Sequence, residues 1–228
     1  MISLETALKL RESGNNIKII CSAGSRLAKE SLSLEFDTME IFSKDIKIFS
    51  SILKLKKYLE NSNVDVIHSN HSHDLWTVTP ALKLAGSKAK FFLTKHMASG
   101  VKKTDLVHRY LYKRVNGIFA ISNFIRENVL KTCPVLNENV HLLPVGVDMN
   151  KFSRDNYSSV EIRKEMQIPA GKLTIGMMGR MTPGKGHEEF LEAAKKINET
   201  HKENVTFLVI GNASYGEEEY ESKIKNYS

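Results

Sequence analysis

The chain has 228 residues and a formal net charge of +7, and 41% of its residues are apolar while 26% are charged. This composition excludes a disordered chain, a collagen-like repeat and a disulfide-rich scaffold. No apolar run approaches the roughly 18 residues of a membrane-spanning helix, and the first residues do not resemble a secretory signal, so we expect the chain to reside in the cytoplasm.

The spacing of apolar residues up to position 143 predicts helices that alternate with short strands. The predicted helices cover residues 4–10, 46–59, 77–84, 105–114 and 123–132, the last of them capped by Ser122. The predicted strands cover residues 17–20, 64–68, 90–94, 117–121 and 140–143. This alternation indicates a mainly parallel α/β sheet with helices on both faces, because parallel neighbours need crossover connections. Ligands bind at the carboxyl ends of the strands in such a sheet.

A polar, turn-rich stretch after Pro144 predicts a linker and divides the chain into domains at residues 1–150 and 151–228. In the second domain the pattern predicts helices at 160–166, 187–200 and 217–225, strands at 173–177 and 205–210, and a glycine-rich loop at 179–186. Two parallel strands cannot bury both faces of a sheet, so we expect this segment to be the opening part of a larger domain.

Positive charge is concentrated in the first domain. Residues 1–152 hold 22 Lys and Arg against 14 Asp and Glu, whereas residues 153–228 hold 11 against 12. Such a surface suits an anionic membrane, an acidic substrate or nucleic acid, although an ordinary solvated surface explains it equally well. We do not expect the chain to bind nucleic acid, because its sequence contains no zinc-finger spacing, no RNP-like aromatic motif and no arginine-rich arm.

The two cysteines, Cys21 and Cys133, lack the close spacing of a metal or redox motif. Free cysteine is among the residues most often buried, so we expect two buried thiols that are not paired with each other. We therefore assign them no chemistry.

The loop at 179–186 carries the strongest chemical signal. It joins a strand to a helix, so the unpaired N–H groups at the helix start favour an anion. Gly184 and Gly186 allow close backbone approach, and Arg180 and Lys185 supply two cations suited to a diphosphate. A P-loop begins with similar spacing, but Gly186 stands where that loop needs Ser or Thr.

A second cluster of candidate residues follows the predicted strand at 64–68. His68, His71 and His73 have a spacing that could ligate zinc, which leaves a metal-dependent hydrolase as one alternative. The residues after Asp74 depart from the metallo-hydrolase pattern, however, and no distant ligand is identifiable.

Four motifs resemble retaining glycosyltransferases of family 4. GRMTPGKGHEEFLEAAKKI resembles the start of the family's donor-binding domain, and AISNFIRENVL, LPVGVDMNKF and TKHM occupy the places of three upstream motifs. The resemblance implies the GT-B fold, in which two Rossmann-like domains bind the acceptor and the sugar nucleotide. It also implies transfer of a sugar with retention from a UDP- or GDP-linked donor to a cell-surface glycan or lipid-linked acceptor.

The resemblance implies a role for each candidate residue. Arg180 and Lys185, together with Gly184 and Gly186, would hold the donor diphosphate, so that neither a metal nor another cofactor is expected. His96 would act at the reacting centre. His71, His73 and Ser122 would line or support the acceptor side, and the basic domain would dock at the inner face of the cell membrane.

Two family features are not identifiable in this chain. Family members begin with a strand and a glycine-rich loop, whereas this chain opens on the helix that follows. A pair of donor-binding glutamates further along the family's second domain is also missing. We therefore expect a fragment of a family member that does not complete the reaction alone. The alternative is a non-catalytic module that binds a phosphate-bearing ligand or a partner chain.

Overall fold

The computed structural model describes residues 2–42, 48–201, 204–214 and 216–226. The chain divides into two compact units, Met1–Gly146 and Val147–Ser228. The division falls in the polar stretch that predicted a linker. Within the described ranges, no helix is long and apolar enough to cross a bilayer.

Unit 1 alternates helices and strands, as its sequence predicts. Its helices are α1 (Ile2–Glu12), α2 (Arg26–Ser33), α3 (Ile48–Glu60), α4 (Leu75–Leu84), α5 (Leu106–Tyr112) and α6 (Asn123–Thr132). Its strands are β1 (Lys18–Ser22), β2 (Asp37–Phe42), β3 (Val66–Ser69), β4 (Lys90–Lys95), β5 (Gly117–Ala120) and β6 (Val140–Leu142). Every predicted element is present with ends shifted by about two residues at most, although the first two residues of the predicted helix at 46–59 lie outside the described ranges.

Unit 1 also contains two elements that its sequence pattern did not predict, α2 and β2. Helix α2 begins after Ser25, whose side chain accepts a hydrogen bond from the Ala28 N–H. Strand β2 then pairs with β1 in parallel. Strand β2 is one of the two strands of this ladder. The two additional elements therefore extend the α/β alternation and leave the fold class unchanged.

The parallel strands of unit 1 form two ladders. Strands β1 and β2 make one, and β3, β4, β5 and β6 make the other in that order. Within the described residues no strand pairs with both β1 and β3, so the ladder is interrupted there. Ile41 of β2 nevertheless belongs to the same hydrophobic core as Phe91 and Leu93 of β4. The two ladders are therefore held together by side-chain packing.

Unit 2 contains α7 (Ser159–Glu165), β7 (Leu173–Met178), α8 (His187–His201), β8 (Val205–Ile210) and α9 (Glu218–Lys225). Strands β7 and β8 are parallel along their whole length, and α8 is the crossover between them. Phe190 of α8 packs edge-on against Phe207 of β8, with 6.1 Å between ring centroids. The two-stranded sheet leaves Leu173 and Met178 63% and 81% exposed.

Both cysteines lie in unit 1 and neither forms a disulfide. Cys21 and Cys133 are buried as free thiols, which confirms the prediction. Burial raises the pKa of the Cys21 thiol. The Cys133 thiol donates a hydrogen bond to the Tyr112 hydroxyl oxygen at 3.4 Å.

Candidate active site

The glycine-rich loop follows β7 and ends where α8 begins, as predicted. Its first residues continue the ladder with the segment after β8, because the Gly179 N–H donates to the Ile210 carbonyl and the Met181 N–H donates to the Asn212 carbonyl, both at 3.0 Å. Gly184 and Gly186 have φ angles of +77° and +84°, a region that favours glycine. The loop therefore lies at the carboxyl end of β7 with a backbone that depends on its glycines.

The loop is in close contact with Gly211, which follows β8 and which the sequence analysis missed. A Cβ atom at Gly211 would lie 1.8 Å from the Gly179 carbonyl oxygen. A Cβ atom at Gly179 would have no atom within 4 Å. Of these two positions, 211 therefore requires glycine and 179 does not.

Arg180 is exposed, and a residue far along the chain orients its guanidinium. Its Nη1 donates to the Ser214 hydroxyl oxygen at 3.2 Å. Two residues further on, the Thr182 hydroxyl donates to Oε1 of Glu217. The Thr182 hydroxyl, and more weakly the charge of Arg180, lower the pKa of the Glu217 carboxyl. Ser214 and Glu217 therefore support the loop that carries Arg180.

Lys185 is exposed in the same loop, directly before α8. No ion pair involves Lys185 or Arg180 within the described ranges. The first turn of α8 carries two acids, and one of them, Glu188, is paired with Lys223 at 2.5 Å. The other, Glu189, is exposed. The loop thus presents two cations beside a helix N-terminus, the charge pattern that binds a phosphate group.

His187, the first residue of α8, is fully buried. In the part of the chain that is described, neither of its ring nitrogens has a hydrogen-bond partner. Its ring meets Tyr220 of α9 edge-on, with 6.2 Å between centroids. Sequence reasoning placed a helix start here but gave no signal that the imidazole is buried.

In unit 1, hydrogen bonds connect the carboxyl ends of β3 and β4. His68 Nε2 lies 2.7 Å from the Thr94 hydroxyl oxygen, and His96 Nε2 lies 3.2 Å from Oδ1 of Asn70. Partial burial, and then the charge of His71, lower the pKa of His96. Partial burial and the charge of His96 lower the pKa of His68. The structure therefore brings His68, His71 and His96 together.

His73 lines a cavity that none of His68, His71 and His96 lines. It lines a cavity of about 230 Å³ together with Ser72, Leu75, Trp76, Lys103, His108, Leu111 and Tyr112. Within the described ranges, no three His, Cys, Asp or Glu side chains are grouped as metal ligands. The hydrolase alternative, which needs His68, His71 and His73 to converge, thus has no site in the described part of the chain.

Two more polar side chains stabilise the ends of these strands. Lys95 of β4 is 7% exposed and donates to the Ser72 hydroxyl oxygen at 2.8 Å. Burial lowers the pKa of its ammonium group. Ser122 accepts a hydrogen bond from the Ile125 N–H at 3.2 Å, which confirms it as the cap of α6. The sequence analysis missed Asn70 and Lys95, because their partners are distant in the sequence.

Comparison with known proteins gives two family matches that follow the two units. The profile of Glycosyltransferase Family 4 matches residues 3–151, and the profile of Glycosyl transferases group 1 matches residues 158–228. A curated relative is the UDP-Gal:alpha-D-GlcNAc-diphosphoundecaprenol alpha-1,3-galactosyltransferase of Escherichia coli. It is 25% identical over 174 residues, which are 73% of this chain and 45% of that protein.

Solved structures support the same fold. A glycosyltransferase from Rickettsia africae has a TM-score of 0.78 at 24% identity, covering 99% of this chain and 60% of that one. HepE from Anabaena, in complex with UDP and glucose, has a TM-score of 0.70 at 15% identity, covering 92% and 57%. The chain thus spans about half the length of these relatives, and the predicted GT-B fold class is confirmed. The family matches together show that the chain belongs to glycosyltransferase family 4.

Proposed function

We propose that this chain is part of a transferase that moves a sugar, with retention, from a UDP-sugar to a lipid-linked glycan acceptor. The Escherichia coli relative is described as using UDP-Gal and a diphosphoundecaprenol acceptor. HepE has been solved with UDP-glucose. These two descriptions favour a uridine nucleotide over a guanosine one, and a lipid-linked acceptor over a free glycan.

The observation that carries the proposal is the loop between β7 and α8. Arg180, which hydrogen-bonds Ser214, and Lys185 are the cations that would bind the donor diphosphate. Gly184 and Gly186 let the backbone N–H groups at the start of α8 approach it. As the bond to the sugar breaks, negative charge grows on the leaving phosphate, and fixed cations stabilise that charge. We propose that they take the role that a metal ion has in other transferases.

His96 is the proposed residue at the reacting centre. Partial burial, and then the charge of His71, lower the pKa of His96, which favours the neutral imidazole, and a neutral ring can both donate and accept a hydrogen bond. Nε2 faces the Asn70 amide oxygen, which leaves Nδ1 to accept from a sugar hydroxyl. In the retaining reaction, the leaving phosphate and the incoming hydroxyl would share one face of the sugar.

The acceptor side is proposed for the loop after β3. His71 lies close enough to His96 to lower its pKa. His73 lines the cavity with Trp76 and Lys103, where a ring face and a cation suit a sugar phosphate. Ser122 supports this edge as the cap of α6.

Donor binding tests the proposal without requiring turnover. We would titrate the 228-residue chain with UDP-glucose, UDP-galactose and GDP-mannose by calorimetry. Arg180→Ala and Lys185→Ala should each weaken UDP-sugar binding about tenfold to a hundredfold, because a charge-assisted hydrogen bond contributes about 1.5–3 kcal/mol. Lys196→Ala, which removes one exposed charge from α8 away from the loop, is the matched control. Binding that both loop variants retain would contradict the proposal.

A further inference from the structure

Lys95, the last residue of β4, is a buried cation that no carboxylate neutralises in the part of the chain that is described. Its side chain is 7% exposed, and its ammonium group donates to the Ser72 hydroxyl oxygen at 2.8 Å. No Asp or Glu of the described residues forms an ion pair with it. A buried ammonium group is costly unless it is paired with an opposite charge. An anion bound close to Lys95 would therefore offset this cost.

A second lysine lies close to the first. Lys103 is half-buried, and its backbone N–H donates to the Thr132 carbonyl of α6 at 2.7 Å, which fixes its position. Burial lowers the pKa of Lys95, and the charge of Lys103 lowers it further. Among the described side chains, Lys103 also takes part in no ion pair. The two ammonium groups therefore repel each other, and a bound anion would relieve this repulsion.

Both lysines meet at the cavity of about 230 Å³ in unit 1. Lys103 lines this cavity directly, and Lys95 reaches its wall through Ser72, which also lines it. None of the described residues that line it is Asp or Glu. Asp105, which contacts the lining residue His108, is already used in capping α5. The cavity is smaller than the pockets of about 300–1,000 Å³ that enclose drug-sized ligands, so a single small group suits it.

Two hydroxyl groups of the cavity wall are available as hydrogen-bond donors. The Ser72 oxygen accepts from Lys95, so the Ser72 O–H is left to donate. The Tyr112 oxygen accepts from the Cys133 thiol, so the Tyr112 O–H is left to donate as well. Burial raises the pKa of Tyr112, and the phenol therefore keeps its proton. The wall thus combines cations with hydroxyl donors, which are the groups that bind phosphate oxygens.

We propose that this cavity, called here the Lys95–Lys103 cavity, binds a phosphate group. Lys103 and the Ser72 hydroxyl contact the phosphate oxygens, and Lys95 supplies the second positive charge from behind Ser72. A phosphate group fits better than a carboxylate, because its charge of about −1.5 to −2 balances two lysines and it has three strong acceptor oxygens.

The phosphate group has two possible sources. It belongs either to free inorganic phosphate or to the phosphate end of a lipid-linked acceptor, and the second source rests on the proposed function. Binding of inorganic phosphate can be measured in either case, without a donor and without turnover. A failure of phosphate binding in unit 1 and a failure of donor binding in unit 2 are therefore separate results.

Trp76 makes a fluorescence test local to the cavity. It is the only tryptophan of the chain and it lines the cavity, so its emission reports what binds there. We would titrate the full chain with sodium phosphate while sodium chloride keeps the ionic strength constant. The chain would carry Arg180→Ala and Lys185→Ala, so that the loop between β7 and α8 does not contribute. We expect a saturable change in the emission of Trp76.

Substitutions of lysine assign this change to the cavity. Lys95→Met and Lys103→Met should each weaken phosphate binding about tenfold or more, because each removes one of the two charges. The matched control is Lys90→Met, which removes an exposed charge from the opposite end of the same strand. It should bind phosphate as the parent chain does.

Thermal unfolding separates a binding role of Lys95 from a purely structural one. Lys95→Met replaces a buried charge by an apolar side chain of similar length, so without phosphate this variant should unfold at the wild-type temperature or above it. Phosphate should raise the unfolding temperature of the wild type and of Lys90→Met but not that of Lys95→Met. A Lys95→Met variant that unfolds earlier, and that phosphate protects as much as the wild type, would show that the lysine is structural.

Geranyl diphosphate, a short prenyl diphosphate, distinguishes the two sources of the phosphate group. Binding about tenfold tighter than that of inorganic phosphate, and weakened in Lys95→Met, identifies the phosphate end of a lipid-linked acceptor. Equal binding of the two ligands, weakened in the same variant, identifies free phosphate. The proposal is overturned if neither ligand changes the Trp76 emission, or if Lys95→Met and Lys90→Met respond alike.

Discussion

His96 Nε2 lies 3.2 Å from Oδ1 of Asn70, and this contact connects the segments that follow β3 and β4. Because the amide oxygen can only accept, the ring donates from Nε2 and keeps Nδ1 as an acceptor. The orientation of His96 at the strand ends is therefore set by a residue from the neighbouring strand's loop.

The pKa of His96 should depend on His71. Partial burial and the positive charge of His71 both disfavour the imidazolium form and so lower this pKa. His71→Asn removes the second cause, and we expect the pKa of His96 to rise toward its ordinary value. Proton-detected NMR titration of the imidazole resonances measures it. His73→Asn is the control, because His73 lines a cavity that neither His71 nor His96 lines. An equal rise in both variants, or none in either, would contradict the proximity of His71 and His96.

Ser214 should influence donor binding through Arg180. The Ser214 hydroxyl only orients the exposed guanidinium and is not expected to touch the donor itself. Ser214→Ala should therefore weaken UDP binding by about twofold to tenfold, because losing an orienting hydrogen bond costs about 0.5–1.5 kcal/mol. Arg180→Ala should cost more, and adding Ser214→Ala to Arg180→Ala should have little further effect. Calorimetry of the two single variants and the double variant measures this coupling. Additive losses would show that Ser214 acts independently of Arg180.

Alanine should have unequal effects at the two glycines that approach each other in unit 2. Gly211→Ala places a Cβ atom 1.8 Å from the Gly179 carbonyl oxygen, whereas Gly179→Ala meets no atom within 4 Å. We expect Gly211→Ala to lower the free energy of unfolding of unit 2 by about 3 kcal/mol or more, and Gly179→Ala by less than about 1 kcal/mol. Hydrogen exchange of the β7 and β8 amides measures both. Equal protection in the two variants would contradict the observed close approach.

The sequence predicted the β7–loop–α8 unit because its signals are local. An apolar strand, Gly184 and Gly186, and an amphipathic helix follow one another within thirty residues. The same holds for Ser122, whose capping role depends on a residue three positions away. Short-range patterns of this kind determine most of the α/β alternation in both units.

Other features depend on contacts between residues far apart in the chain. Ser214 and Glu217 support the loop from more than thirty positions away, and Asn70 and His96 meet across two strands. Helix α2 was not predicted because it is short and polar, although Ser25 before it is a typical helix-capping residue. No pattern in the residues around His187 predicts that its side chain is buried.

The central claim is that the loop between β7 and α8 binds the donor diphosphate. The most direct measurement is an NMR titration of the ¹⁵N-labelled chain with UDP-glucose, following every backbone amide. We predict that the largest shifts fall on Gly184, Lys185 and Gly186, and that they disappear in the Arg180→Ala, Lys185→Ala double variant but persist in Lys196→Ala. Shifts that leave these three amides unchanged, or that survive in the double variant, would contradict the account.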